Sequence, residues 1–119
     1  MKPHQKLNAW IHSFHLVKTL YELTKTYPSE EKFGLISQIR RAAVSVPVNI
    51  AEGAARKGNK EFIHFLHISL GSLTELDTLL LLSGDLGFIS NEQSVLLNNE
   101  LDSIGKMIYG LIKKVESGL

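Results

Sequence analysis

From Leu35 to Gly58 the chain reads LISQIRRAAVSVPVNIAEGAARKG, and Leu35, Ile39, Ala42, Val46 and Ile50 keep three- and four-residue spacing straight through Pro47. That spacing is one face of an α-helix and predicts a stripe turned toward a core. Gln38, Arg41, Ser45, Glu52 and Arg56 climb beside the stripe as a polar column, with Arg40 and Asn49 on its flanks. Proline has no N–H to give the carbonyl of Ala43, and its ring crowds that carbonyl, at a cost of roughly 3 kcal/mol in a straight helix interior. Two arrangements meet this constraint. Either one helix is kinked at Pro47 with the small Ala43 relieving the crowding, or a second helix starts with Pro47 in its first turn. The unbroken phase of the stripe favours the kink.

The rest of the chain repeats the helical pattern. Leu7, Trp10, Phe14, Val17, Tyr21 and Thr24 predict the seam of a first helix over residues 5–26, which Pro28 ends. Ser29 with Glu30 and Glu31 reads as the start of the second helix. Gly53 and Gly58 bracket a basic loop, and Asn59 is a candidate cap for a third helix with Phe62, Leu66, Ser69, Leu73, Leu76 and Leu80 as its seam. Ser90 and Gln93 form a capping box before a fourth seam of Leu97, Leu101, Ile104, Ile108, Leu111 and Val115. No run alternates apolar and polar residues between turn signals, so no strand is expected. The predicted fold is all-α, an antiparallel up-down-up-down four-helix bundle forming one domain over residues 1–119. Ile11, Leu16, Leu20, Ile63, Leu70, Leu96, Met107 and Ile112 widen the apolar faces beyond one seam each, and such a surplus points to contacts between subunits.

Composition is that of an ordinary globular domain, 44% hydrophobic and 21% charged. No cysteine is present, which excludes disulfides and thiolate metal sites and fits a cytoplasmic protein. No leader-like segment opens the sequence, and the longest apolar run, Leu79 to Leu82, is too short to span a bilayer, so neither export nor membrane insertion is expected. Charge is unevenly spread. Residues 1–60 hold ten Lys or Arg against four Glu, a net of +6, while residues 61–119 hold three against eight acids, a net of −5. Such halves suit a head-to-tail contact between copies of the chain.

The run QIRRAAVSVPVNIAEG from Gln38 to Gly53, with Pro28, Glu31, Gly34 and Leu35 before it and Phe62, Phe65, Leu66, Gly71, Ser72 and Glu75 after it, resembles the bacterial 23S rRNA-intervening-sequence proteins. The departures are Phe33 in place of an expected Tyr and Ser69 in place of an expected Ala. The resemblance implies a four-helix bundle that forms ring-shaped homo-oligomers, pentamers being the expected number. The family name records where some of its genes lie, within ribosomal RNA genes, and demonstrates no ligand. The family is also similar to the accessory proteins of diversity-generating retroelements, which work with nucleic acid and are more basic than this chain.

Motifs for chemistry are weak. Glu61 and His64 make a Glu-x-x-His, but a di-metal bundle needs a second copy and two further glutamates. His12 with His15 and His64 with His67 could share a zinc ion between the first and third helices, although surface histidines are the simpler reading. The stretch from Gly53 to Lys60 lacks the strand and the Lys-Ser/Thr pair of a phosphate-binding loop. Gly71-Ser72 lacks the strand and second glycine of a nucleophile elbow and reads instead as a place where a neighbouring helix approaches closely. No enzymatic activity, cofactor, metal or small-molecule substrate is expected. Arg40, Arg56, Lys57 and Lys60 form a candidate patch for RNA or DNA phosphates. Gln38, Arg41, Ser45, Asn49, Glu52 and Glu75 form a candidate structural polar network, in which a partly buried Arg41 pairs with Glu75 or, less readily, Glu52. The expected role is an oligomeric assembly or protein-interaction module, with nucleic-acid binding as the alternative.

Overall fold

Four α-helices are present: α1 Asn8–Thr24, α2 Leu35–Ala55, α3 Asn59–Asp85 and α4 Asn91–Glu116. Short 3-10 turns at Pro3–Lys6 and Ser29–Glu31 precede α1 and α2. This is a computed structural model, and it describes residues 1–118. Among the described residues there is no strand. α2 runs without interruption through Pro47, so the one-helix arrangement is the observed one, with Ala43 and Pro47 both buried.

Local chemistry sets the helix ends. Ser29–Glu31 forms its own turn rather than opening α2, which begins after Gly34, and the Glu31 carboxylate instead accepts the Leu35 N–H at 3.2 Å. Ser90 and Gln93 make the expected capping box, each side chain accepting the other's backbone N–H at 3.1 and 2.9 Å. Gly87 closes α3 with φ +82°, a conformation that strains any residue with a Cβ, while Phe88 N–H donates back to the Ser83 carbonyl at 2.9 Å. Gly58, not Asn59, flanks the start of α3, and the Asn59 amide donates across to the Val115 carbonyl at 3.3 Å.

Each helix touches two others: α1 with α2, α2 with α3, α3 with α4, and, by the thinnest seam, α4 with α1. Among the described residues the backbones of the diagonal pairs stay more than 8 Å apart, Cα to Cα. Gly53 near the end of α2 faces Phe62 and Phe65 near the start of α3, while Val46 meets Ser69 and Ser45 meets Ser72. Contacts that advance along one helix as they recede along the other mean opposite directions. The same holds for α3 and α4 at Gly84 with Ser94 and Leu73 with Gly105. At 1.5 Å per residue α3 is about 40 Å long, which accounts for overall extents of 46 × 24 × 23 Å.

The deepest side chains are Leu16 and Leu20, Ile39, Val46 and Ile50, Leu66 and Leu76, and Ile104 and Ile108, from all four helices. The α2 stripe is the expected one, the α3 seam holds, and α4 differs only in burying Ile112 more deeply than Leu111. On α1 the expected seam is displaced. Ala9, Ser13, Leu16, Leu20 and Thr24 face inward, while Phe14 and Tyr21 are exposed and Trp10 and Val17 half-buried. Two apolar stripes run one residue apart, about 100° around the helix. The small Ala9 and Ser13 permit close approach, which leaves the bulky aromatic stripe outside.

α3 has the length and hydropathy of a membrane span; 33% of its most apolar stretch is buried, and Leu66, Leu73, Leu76 and Leu80 of this helix belong to the core.

Candidate functional site

The square arrangement leaves grooves between neighbouring helices, and their linings differ sharply. Between α1 and α2 lies an apolar groove of about 310 Å³ with Trp10, Phe14 and Val17 on one wall and Val44, Pro47 and Val48 on the other, Lys18 being its one charge. Trp10 and Phe14 stack at 4.8 Å, yet Phe14 is 43% and Val48 52% exposed. Val44 and Val48 stand four apart, off the α2 core stripe, and that pairing is the sequence signal for this surface.

Between α3 and α4, on the opposite side of the bundle, a groove of about 390 Å³ has Leu70, Leu73 and Leu101 along it with Asp77, Asp102, Lys106 and Tyr109. Gly105 lies along it, and a Cβ there would make ordinary contact with Leu73 at 3.5 Å. Leu81, Leu82, Leu86, Val95 and Leu96 are exposed toward the α3–α4 turn.

A third groove, between α2 and α3, is polar and encloses about 510 Å³ among residues that include Gln38, Arg41, Ser45, Ser72 and Glu75. Here the polar column of α2 meets α3. Ser45 accepts hydrogen bonds from the Asn49 amide at 2.9 Å and the Ser72 hydroxyl at 2.8 Å, and Asn49 also donates to the Ser45 carbonyl at 2.8 Å.

The expected ion pair of Arg41 is absent. Arg41 and Glu75 are both exposed, and among the described residues neither has an oppositely charged group within 4.0 Å. One step off the core stripe turns a helical residue about 100°, and the long arginine stem carries its charge to water. Glu52 goes elsewhere, pairing with Arg56 at 3.7 Å on the surface. Gly71 is likewise corrected. It is exposed and a Cβ there would meet nothing within 4 Å, whereas Ser72 beside it does meet α2 at Ser45, and the other close approaches of α2 to α3 are at Gly53 and Ser69.

The candidate phosphate-binding residues separate. Arg40 is held inside the fold, its guanidinium donating to the Thr24 hydroxyl at 3.0 Å and the Tyr21 carbonyl at 3.2 Å and lying over the Tyr21 ring at 4.4 Å. Such an arginine pins the end of α1 to the start of α2. Arg56, Lys57 and Lys60 remain exposed at the other end of α2, Arg56 lying 5.0 Å over Phe65. The Asn59–Val115 bond sets this loop beside the last turn of α4, which adds Lys113 and Lys114. The turn holding Lys6 packs on α2, with Lys2 just before it. One end of the bundle is therefore basic, assembled from three separated segments. Reading charge along the chain missed this, although an antiparallel order already implies that the end of α4 meets the start of α3.

His12, His15, His64 and His67 are exposed on diagonally placed helices, and no group of three or more His, Asp or Glu gathers among the described residues. The ionisation of Tyr27 is displaced. Its hydroxyl is buried without a hydrogen-bond partner among the described residues, burial pushes it above the usual tyrosine range, and the nearby Ser83 hydroxyl opposes that.

Residues 5–110 match the family of the 23S rRNA-intervening sequence protein. The chain belongs to that family. Its fold is similar to the crystal structure of a protein of unknown function from the S23 ribosomal protein family of Bacteroides thetaiotaomicron, with a TM-score of 0.82 and 28% identity over 88% of this chain and 95% of that one. No curated protein matches the chain. Among the expectations set by the resemblance, family membership and the four-helix, all-α architecture are thereby shown.

Proposed function

We propose that this 23S rRNA-intervening-sequence family member is a non-enzymatic assembly subunit that joins copies of itself head to tail into a closed ring, five being the number the family resemblance implies. The observation that supports this reading is the pair of open apolar surfaces on opposite sides of the bundle. One carries Phe14, Val44 and Val48 with a lysine at its rim, and the other carries Tyr109 with Asp77 and Asp102 against a single Lys106, continuing toward exposed leucines near the α3–α4 turn. A surface that meets a different surface on the next copy generates a ring when the rotation closes, and opposite charges favour that register over self-pairing. Light scattering tests it. The expected mass is several times 13.3 kDa, falling to that of a monomer for Phe14→Glu with Val48→Glu. A monomeric wild type at micromolar concentration overturns the assembly, and a two-fold dimer overturns the head-to-tail order.

A second reading, binding of RNA or DNA, is favoured by the basic end. Lys113 and Lys114 join Arg56, Lys57 and Lys60 there, whereas Arg40 belongs to the fold. Titration of single-stranded and duplex RNA at two salt concentrations tests it. Changing these residues to Ala should flatten the salt dependence, by a slope of about 0.7 to 0.9 for every phosphate they neutralise. An unchanged slope makes them a solvated surface.

A further inference from the structure

The polar α2–α3 groove has a chemistry that neither reading uses. Arg41 and Glu75 line the same groove, carry opposite charges, and are both unpaired among the described residues. A simple anion drawn to Arg41 is repelled by Glu75, and a simple cation drawn to Glu75 is repelled by Arg41. A molecule carrying both charges on a short backbone satisfies the two at once. Selectivity of this kind comes from the repulsive partner as much as from the attractive one.

The surroundings suit such a ligand. Ser45 accepts bonds from both Asn49 and Ser72, so its own hydroxyl proton is left to donate into the groove. Gln38 adds an amide with both donors and an acceptor. At the mouth Phe33 is 89% exposed, an aromatic ring whose neighbour is the Lys32 ammonium, 5.5 Å from the ring centroid. The groove encloses about 510 Å³, within the usual range of small-molecule sites, about 300 to 1,000 Å³. It opens on a side of the bundle between the two faces used in the proposed ring, so assembly leaves it free. Its walls are fixed, because α2 and α3 are tied by the Ser69 hydroxyl on the Val46 carbonyl at 2.8 Å and pressed together at Gly53.

We propose that the α2–α3 groove binds a small zwitterion of the amino-acid or dipeptide class, its carboxylate on Arg41, its ammonium on Glu75 and its side chain against Phe33. Helical spacing alone offers no reason to expect a small ligand, since it favours an internal Arg41–Glu75 pair. The proposal does not depend on the ring.

The experiment is a titration of the 15N-labelled full chain with phenylalanylglycine, followed through backbone amide shifts. Saturating shifts confined to residues around Arg41, Ser45, Ser72 and Glu75 are expected. N-acetylphenylalanylglycine lacks the ammonium and phenylalanylglycinamide lacks the carboxylate, and each should bind about tenfold more weakly. Arg41→Met and Glu75→Gln should do the same while leaving the helical circular dichroism and the mass in solution unchanged. Equal binding of all three peptides overturns the proposal, as do shifts that fail to saturate at tens of millimolar or lie elsewhere on the bundle. The peptide comparison needs no variant, so it decides the matter even where a substitution disturbs folding.

Discussion

The two flanks of α2 are built on different principles. Toward α3 it packs through small residues and hydroxyl groups: Gly53 lies beneath Phe62 and Phe65, Ser69 donates to the Val46 carbonyl, and Ser72 donates to Ser45. Toward α1 it meets an aromatic stripe that stays partly outside, and near its start the link is one arginine, Arg40, on Thr24 and Tyr21. Close packing fixes geometry and tolerates little change, because interiors are as dense as organic crystals. An open apolar groove is more tolerant of change, and under the proposed assembly it is the surface that a second copy covers. The difference teaches that the α2–α3 pair is the closely packed unit of this bundle, while the α1 side leaves apolar surface open.

The largest effect expected on the closely packed flank comes from Gly53→Ala. The new Cβ would lie 2.9 Å from Phe65 Cβ and 3.1 Å from the Phe62 carbonyl oxygen, atoms tied to backbone that cannot swing away. Overpacking of this kind costs about 1 to 3 kcal/mol, read from the urea midpoint. Gly71→Ala is the control. It meets open space on a helix, so it should be neutral or stabilising by up to about 1 kcal/mol. Equal losses at both glycines would break the distinction between a packed and an open position.

Ser69→Ala comes next. It removes a fully buried hydroxyl and its 2.8 Å bond to α2, for an expected loss of about 1 kcal/mol without change of mass in solution. The readout separates packing from assembly. A loss of oligomer at unchanged stability would move the interface to this flank.

How far the chain could be read in advance follows the same division. Stripes of aliphatic residues at helical spacing decide which face is buried when no stripe of bulkier residues competes, and so α2, α3 and α4 were legible from Ile39, Leu66, Leu76, Ile104 and their neighbours. α1 was not, because Trp10, Phe14 and Val17 compete with Leu16 and Leu20, and only the small size of Ala9 and Ser13 decides between them. The polar column was legible as a group. The partners of its charged members were not, since helical spacing does not say which end of a long arginine reaches water: Arg40 turned inward and Arg41 outward from adjacent positions.

On the α1 flank, Arg40→Met tests whether that arginine belongs to the fold or to a ligand. The loss of its bonds at 3.0 and 3.2 Å and of its stacking on Tyr21 should cost about 0.5 to 1 kcal/mol, a value reduced by its partial exposure. RNA titration should be unaltered. A lower salt slope with unchanged stability would return Arg40 to the phosphate-binding set and remove the pin between α1 and α2.

The smallest expected effect is at Tyr27, in the connection from α1 to α2, where the ring packs 5.4 Å from that of Phe88. Its buried hydroxyl makes no well-formed hydrogen bond, the Ser83 hydroxyl being only nearby, so Tyr27→Phe removes a poorly met polar group while keeping the ring, and stability at neutral pH should stay within about 1 kcal/mol of wild type or rise slightly. The pH dependence carries more information. Burial raises the folded-state ionisation above the ordinary tyrosine value of 10.0. The folded state therefore holds its proton where the unfolded chain begins to release it. The Tyr27 contribution is complete below the unfolded value and is lost as pH rises through the folded one. Denaturation midpoints measured from pH 8 to 11 should fall less steeply for Tyr27→Phe than for wild type. Parallel curves would mean that water reaches the hydroxyl and that the α1–α2 connection is open rather than packed. The contrast between the two flanks would then extend from the grooves to this end of the bundle.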